Sequence, residues 1–174
     1  MAQSAEEVTA KIKDAFAKTP KPSDDELVGS HEGDPECTEV ARAFRAQRWS
    51  DLSREMLRDH SQALPLFTPS AFRHYLPAYM MACLGSREEA EVLRDFVIFN
   101  LTPPRRSAGW RADFFRARAT QFSPEERDAI KCFLELMEER RVIDWKSQGL
   151  DPPPSRIKGA IDYWALLQSV TRER

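Results

Sequence analysis

The densest set of side chains able to do chemistry lies in "SHEGDPEC", where His31 and Cys37 bracket Glu32, Asp34 and Glu36. Imidazole, thiolate and carboxylate are what a divalent metal takes. The chain nonetheless has no CxxC, HExxH or ExxH, the spacings that bring ligands to one turn or one helix face. The set reads as a solvated acidic loop ahead of a helix N-cap, and no metal is assigned. Cys83 and His74 fall in one aromatic region, but a cysteine nucleophile needs a histidine beside it and an electropositive, partly exposed setting. Cys83 in "YMMACLG" is surrounded by apolar residues and reads as an inert buried thiol. No GxSxG elbow, P-loop or GxGxxG occurs. The pairs Glu88/Glu91 and Glu135/Glu138 fall on helix faces expected to be exposed. No catalytic residue and no cofactor is assigned, and enzyme activity is poorly supported.

Two charged segments remain. From Ser23 to Glu36 the chain carries Asp24, Asp25, Glu26, Glu32, Asp34 and Glu36 with no lysine or arginine. "RRSAGWRADFFRAR", 105–118, carries Arg105, Arg106, Arg111, Arg116 and Arg118 against Asp113 alone, interleaved with Trp110, Phe114 and Phe115. Arginine clamps phosphates and aromatic faces stack on bases. A formal net charge of -2 and the absence of a nucleic-acid motif make nucleic-acid binding the third reading. The first is a protein partner, met by the acidic residues, with Arg105, Arg106 and Arg111 as the second surface.

These side chains must be positioned by helices. Ser4 with Glu7 predicts a capping box for a helix with Val8, Ile12 and Phe16 on one face, stopped by the prolines of "KTPKPSDD". Asp34-Pro35 predicts an N-cap and N1 proline for a helix through Val40, Phe44 and Trp49. Ser50 or Asp51 is expected to cap a short helix carrying Leu52, Met56 and Leu57. Thr68-Pro69 repeats the start signal, and Gly85 is expected at a C′ stop. Ser86 with Glu89 predicts a box for a central, mostly buried helix through Val92, Leu93, Phe96, Val97 and Leu101. A short helix is expected around Phe114 and Phe115. Ser123-Pro124-Glu125-Glu126 opens a helix with Ile130, Phe133, Leu134 and Met137 at its core face and the charged "EERR" (138–141) outside. "RRVID" is compatible with a short strand. After the Pro-rich "GLDPPPS", a last helix carries Tyr163, Leu166, Leu167 and Val170 with Ile161 and Trp164 alongside.

The expected fold is all-α: a single-domain irregular bundle of about six to eight helices. Residues 1–148 form its body, and residues 149–174 form a Pro-linked C-terminal helix packed on the same domain. A chain of 174 residues with 41% hydrophobic and 31% charged residues buries a core without metal or disulfide staples. The odd, widely spaced Cys37, Cys83 and Cys132 point to reduced thiols, and no signal peptide or membrane span is read. The expected location is cytoplasmic.

"ALPLFTPSAFRHYLPAYM", 63–80, sets Phe72, Leu76, Tyr79 and Met80 at helical spacing but places Pro77 among them. Proline cannot donate to the carbonyl four residues back, an interior cost near 3 kcal/mol. A helix kinked or broken at Pro77 is therefore expected, and with it a groove bearing the polar tips of His74, Tyr75 and Tyr79. A small-ligand binder or enzyme using that groove is the alternative reading.

The same stretch, extended to "ALPLFTPSAFRHYLPAYMMACL", resembles the signature of a family of small bacterial proteins of unknown function with an L-P-x-L-T-P-x-A-F-R-x-Y-L-P-A-Y type core. "KPSDDELV", the segment holding Cys37, Phe44 and Trp49, "NLTPP" (100–104) and "FSPEERDAIKCFLELM" (122–137) match it as well, to about residue 140. The resemblance implies no catalytic residue. By analogy with small acidic proteins that neutralise or adapt a partner, it leaves an immunity-type or regulatory interaction module as the reading.

Overall fold

Most helices begin where side-chain chemistry says they should. The structure, a computed structural model, describes residues 3–29, 34–85 and 87–172, without the side chains of 87–91 and 169–172. His31, Glu32 and the Ser86–Glu89 capping box lie outside the described residues, as do the side chains of Glu88, Glu91 and Val170.

Ser4 and Glu7 close a reciprocal capping box on α1 (Ala5–Phe16). Asp34 accepts the Glu36 amide and Pro35 takes the first position of α2 (Pro35–Phe44). The short helix α3 (Arg54–Asp59) is capped by Ser53. Ser50 and Asp51, the expected caps, instead belong to a one-turn 3-10 helix, Trp49–Asp51. Thr68 caps α4 (Pro69–Cys83), which is followed by α5 (Arg87–Leu101) and α6 (Trp110–Ala119). A second capping box, Ser123 with Glu126, opens α7 (Pro124–Ser147). This long helix takes in "RRVID", so no strand forms there. It ends at Gly149 (φ 72°), where the Leu150 and Gly149 amides reach back to the Trp145 and Lys146 carbonyls, a Schellman stop. The last helix is α8 (Arg156–Arg172). Among the described residues extended backbone pairs only at the Val28–Phe67 bridge. The fold is all-α.

Packing corrects the expected helix phases. Eleven residues of α4 are buried, so α4 rather than α5 is the central helix. In α5 the buried stripe is Leu93, Val97 and Leu101, while Val92 and Phe99 are 59% and 68% exposed, because they lie off the face that meets α4. The helix α4 also runs through Pro77 without stopping at Tyr75. The missing hydrogen bond to Arg73 is offset by burial of the Pro77 ring and its apolar neighbours. Gly85 stands at C′ of α4 as expected, directly after the Leu84 C-cap, though without a left-handed backbone. Its bare Cα instead admits Arg54, whose Nη1 would lie 2.8 Å from an added Cβ. Glu138 is buried, not on an outer face, and holds both Arg141 and the Ser155 hydroxyl.

α8 packs along α7 through Ile157, Ala160 and Trp164, with Leu166 turned to solvent. Trp164 stands edge-on to Phe115, Phe122 and Tyr163, so the segment after "PPP" shares the main core.

Candidate functional site

His74, Tyr75 and Tyr79, expected to line a groove, are all buried at 3% exposure or less. The physical reason is that each polar tip meets the backbone of a short neighbouring element. Tyr75 Oη donates to the carbonyls of Phe44 and Gln47 at 3.0 and 3.1 Å, closing the C-terminus of α2. Tyr79 Oη donates at 2.7 Å to the carbonyl of His60, the C-cap of α3. His74 Nε2 accepts the Trp49 amide at 3.3 Å, at the start of the 3-10 turn. A helix end leaves carbonyls or amides without partners, and α4 supplies them for three elements too short to be stable alone. Because Nε2 accepts, the His74 ring proton belongs on Nδ1, which is buried without a well-aligned partner. Burial pushes the His74 pKa down to about 4, against a weaker upward pull from the Thr19 and Pro20 backbone. Burial likewise raises the pKa of both tyrosines. Arg73 completes the pattern, binding Glu126 at 2.8 Å, and Glu126 also accepts the Thr19 hydroxyl. This stretch is a structural hub.

An open groove does lie beside α4, one turn beyond Pro77. It encloses about 580 Å³ between α1, the 3-10 turn, α3 and α4, over a floor that includes Ala78, Ala82 and Gly85. Trp49, Leu52 and Met81 wall it, with Glu6, Lys13 and Arg54 among its polar residues. Sequence reasoning placed a groove near Pro77 but lined it with the wrong residues.

The acidic segment is largely committed within the chain. Asp24 pairs with Lys21 at 2.6 Å and accepts the Ala46 amide; these contacts, Lys21 first, lower its pKa. Glu26 holds the Ser23 hydroxyl, and Asp34 caps α2. Asp25 and Glu36 are exposed, and Glu32 lies outside the described residues. Lys21 is the one cation paired with a described acid of this segment, while Glu26 and Asp34 meet only neutral donors.

The arginine-rich segment behaves differently. Residues 105–111 are exposed throughout, and Trp110 stands 73% exposed at the start of α6. The Arg111 guanidinium lies 5.3 Å from the Trp110 ring centroid. Gly109 (φ 98°) is the N-cap and offers no side-chain bond, so the first amides of α6 add to the positive field. Asp113 is paired with Arg116, which also folds back onto the Ser107 carbonyl. Arg105, Arg106 and Arg111 make no ion pair with the described acidic residues.

One member of the segment leaves the surface altogether. Arg118 is 4% exposed, and its Nη2 meets the carbonyls of Leu64, Pro65 and Phe67 at 2.9, 2.9 and 2.8 Å. Its guanidinium lies between the Phe72 and Phe114 rings, 4.4 and 4.0 Å from their centroids. Burial pushes its pKa down to about 9, so it stays charged at neutral pH. Sequence reasoning missed this role; the i, i+4 spacing of Phe114 and Arg118 was the available signal.

Among the described residues no group of three histidine, cysteine or acidic side chains could hold a metal. All three cysteines are free and buried. Burial pushes the Cys83 thiol up to about 12, away from nucleophilic use. No described helix is long and apolar enough to cross a membrane. No curated protein and no solved structure matches the chain. The model of DUF6714, a family of unknown function, matches residues 4–167. That span takes in all of the hub, the groove and the arginine-rich turn, and the chain belongs to this family.

Proposed function

We propose that the chain is a protein-interaction module, of regulatory or immunity type, that binds an acidic segment of its partner at Arg105, Arg106, Trp110 and Arg111. The observation that carries this reading is the exposure of Trp110 with the Arg111 guanidinium 5.3 Å from its ring, in a segment whose Arg105 and Arg106 are also exposed and unpaired with any described carboxylate. Aromatic and arginine side chains are the types that dominate binding hot spots. The acidic segment ranks second, because Asp24, Glu26 and Asp34 are already engaged. The free, buried thiols support a cytoplasmic setting.

The test compares capture from the source lysate by the wild type, Trp110→Ala and Arg105→Glu/Arg106→Glu/Arg111→Glu. One specific protein should be retained by the wild type, lost with both variants and displaced by a poly-glutamate peptide. Equal retention by all three forms would refute the assignment. Retention abolished by nuclease would instead move the surface to nucleic acid.

A second reading is small-ligand binding in the α1–α4 groove, favoured by its volume of about 580 Å³ and its Trp49 wall. Tryptophan fluorescence under a fragment screen tests it, since a ligand there quenches or shifts Trp49. A screen that leaves the Trp49 signal unmoved would refute it.

A further inference from the structure

Cys132 differs from the other two cysteines in what it touches. It sits on α7 one turn after Asp128, and both face Lys11 of α1. Lys11 Nζ lies 2.6 Å from Asp128 Oδ2 and 3.2 Å from Cys132 Sγ. Gln168 of α8 donates to the other Asp128 oxygen at 3.3 Å, fixing the carboxylate. The thiol itself is 4% exposed, but Lys11 and Asp128 above it are 34% and 42% exposed in their side chains. The pair in contact with the thiol is thus itself partly open to solvent, and the sulfur already has a side-chain nitrogen against it. Cys37 and Cys83 lack this arrangement. Burial leads the causes that raise their thiol pKa, and no side-chain amine bonds to either sulfur among the described residues.

We propose that Cys132 and Lys11 are a modification site, where hydrogen peroxide joins α1 to α7 through a sulfur–nitrogen bond. Peroxide reacts with the thiolate form of a cysteine. The thiolate attacks one peroxide oxygen, the O–O bond breaks, and hydroxide leaves as water, giving the sulfenic acid. The proton that turns this hydroxide into water comes from the Lys11 ammonium, which Asp128 holds in place, and the free amine attacks the sulfur. The S–O bond breaks, hydroxide departs and is protonated to a second water, and a sulfenamide remains. In sum one thiol, one amine and one peroxide yield the sulfenamide and two waters, with sulfur oxidised by two electrons and peroxide reduced by two. The link would close residues 121 apart in sequence, and cross-links over long loops stabilise the folded chain most in the chain-entropy account.

The experiment treats the folded chain with hydrogen peroxide and digests it without reductant, reading peptides by mass spectrometry. The expected product is a Lys11–Cys132 peptide pair about 2 Da lighter than the sum of its parts, cleaved by dithiothreitol. It should be absent in Lys11→Arg and in Cys132→Ser, and slower to form in Asp128→Asn. Lys11→Arg keeps the charge opposite Asp128 and so tests the amine without removing the ion pair. Oxidised wild type should also melt at a higher temperature than the untreated chain, and Lys11→Arg should show no such rise. A Cys132 that stays unreacted, or is carried to sulfinic acid equally in wild type and Lys11→Arg, would overturn the proposal.

Discussion

Replacing Arg118 with methionine keeps the length and apolar character of the side chain but removes its donors. The Arg118 Nη2 has two hydrogens to share among three carbonyl oxygens at 2.8–2.9 Å, so two full bonds are the useful count. At roughly 1.5–3 kcal/mol for a bond to a charged group, these supply about 4 kcal/mol. The faces of Phe72 and Phe114 add about 1–2 kcal/mol. Methionine recovers part of this, because the guanidinium is buried with no carboxylate beside it and loses its hydration. The expected net loss is about 3 kcal/mol, or a fall in Tm of about 6–12 °C at this chain length. Urea unfolding followed by both circular dichroism and tryptophan fluorescence measures it. Hydrogen exchange supplies the local readout: the Gly29 and Thr68 amides, bonded to the Leu66 and Leu27 carbonyls, should lose protection first. A loss below about 1 kcal/mol with those two amides unchanged would refute the reasoning, since buried carbonyls stripped of their donor cannot be that cheap.

Stability should fall as pH drops from 6.5 towards 4. His74 is held at about 4 in the folded chain and near 6.5 when unfolded, so the unfolded state takes up the proton first, at a cost approaching about 3 kcal/mol. His74→Gln retains an acceptor for Trp49, and its urea midpoint should depend less on pH across that window. Tyr79→Phe leaves the His60 carbonyl without its donor and should cost about 1–2 kcal/mol by denaturant titration. Ala46 adopts a left-handed backbone (φ 60°); Ala46→Gly relieves that strain at an entropic cost, for a net gain of about 0.5 kcal/mol in the same assay.

Local chemistry made the helix starts legible. Ser4 with Glu7, Thr68 and Ser123 with Glu126 each bond a backbone amide three residues away, within reach of sequence reasoning. The phases of α5 and α8 were not, because apolar residues surround both helices and only the positions of α4 and α7 select the buried stripe. The same limit applies to the hub. Tyr75 and Tyr79 meet carbonyls 31 and 19 residues away, so a polar tip destined for backbone looks like one destined for a ligand. Arg118 was missed for another reason: arginine is seldom buried without an acid, which outweighed its i, i+4 spacing from Phe114. The cationic, aromatic character of 105–111 was legible from composition, and its exposure adds the geometry.

The burial of α4 bears on how kinship and activity are read in such chains. "FRHYLPAY", the most recognisable stretch, is a set of ties holding other elements' termini, and solvent scarcely reaches it. A search guided by the density of aromatic and polar side chains would converge on the interior, whereas the arginines of 105–111 and Trp110 stand at the surface.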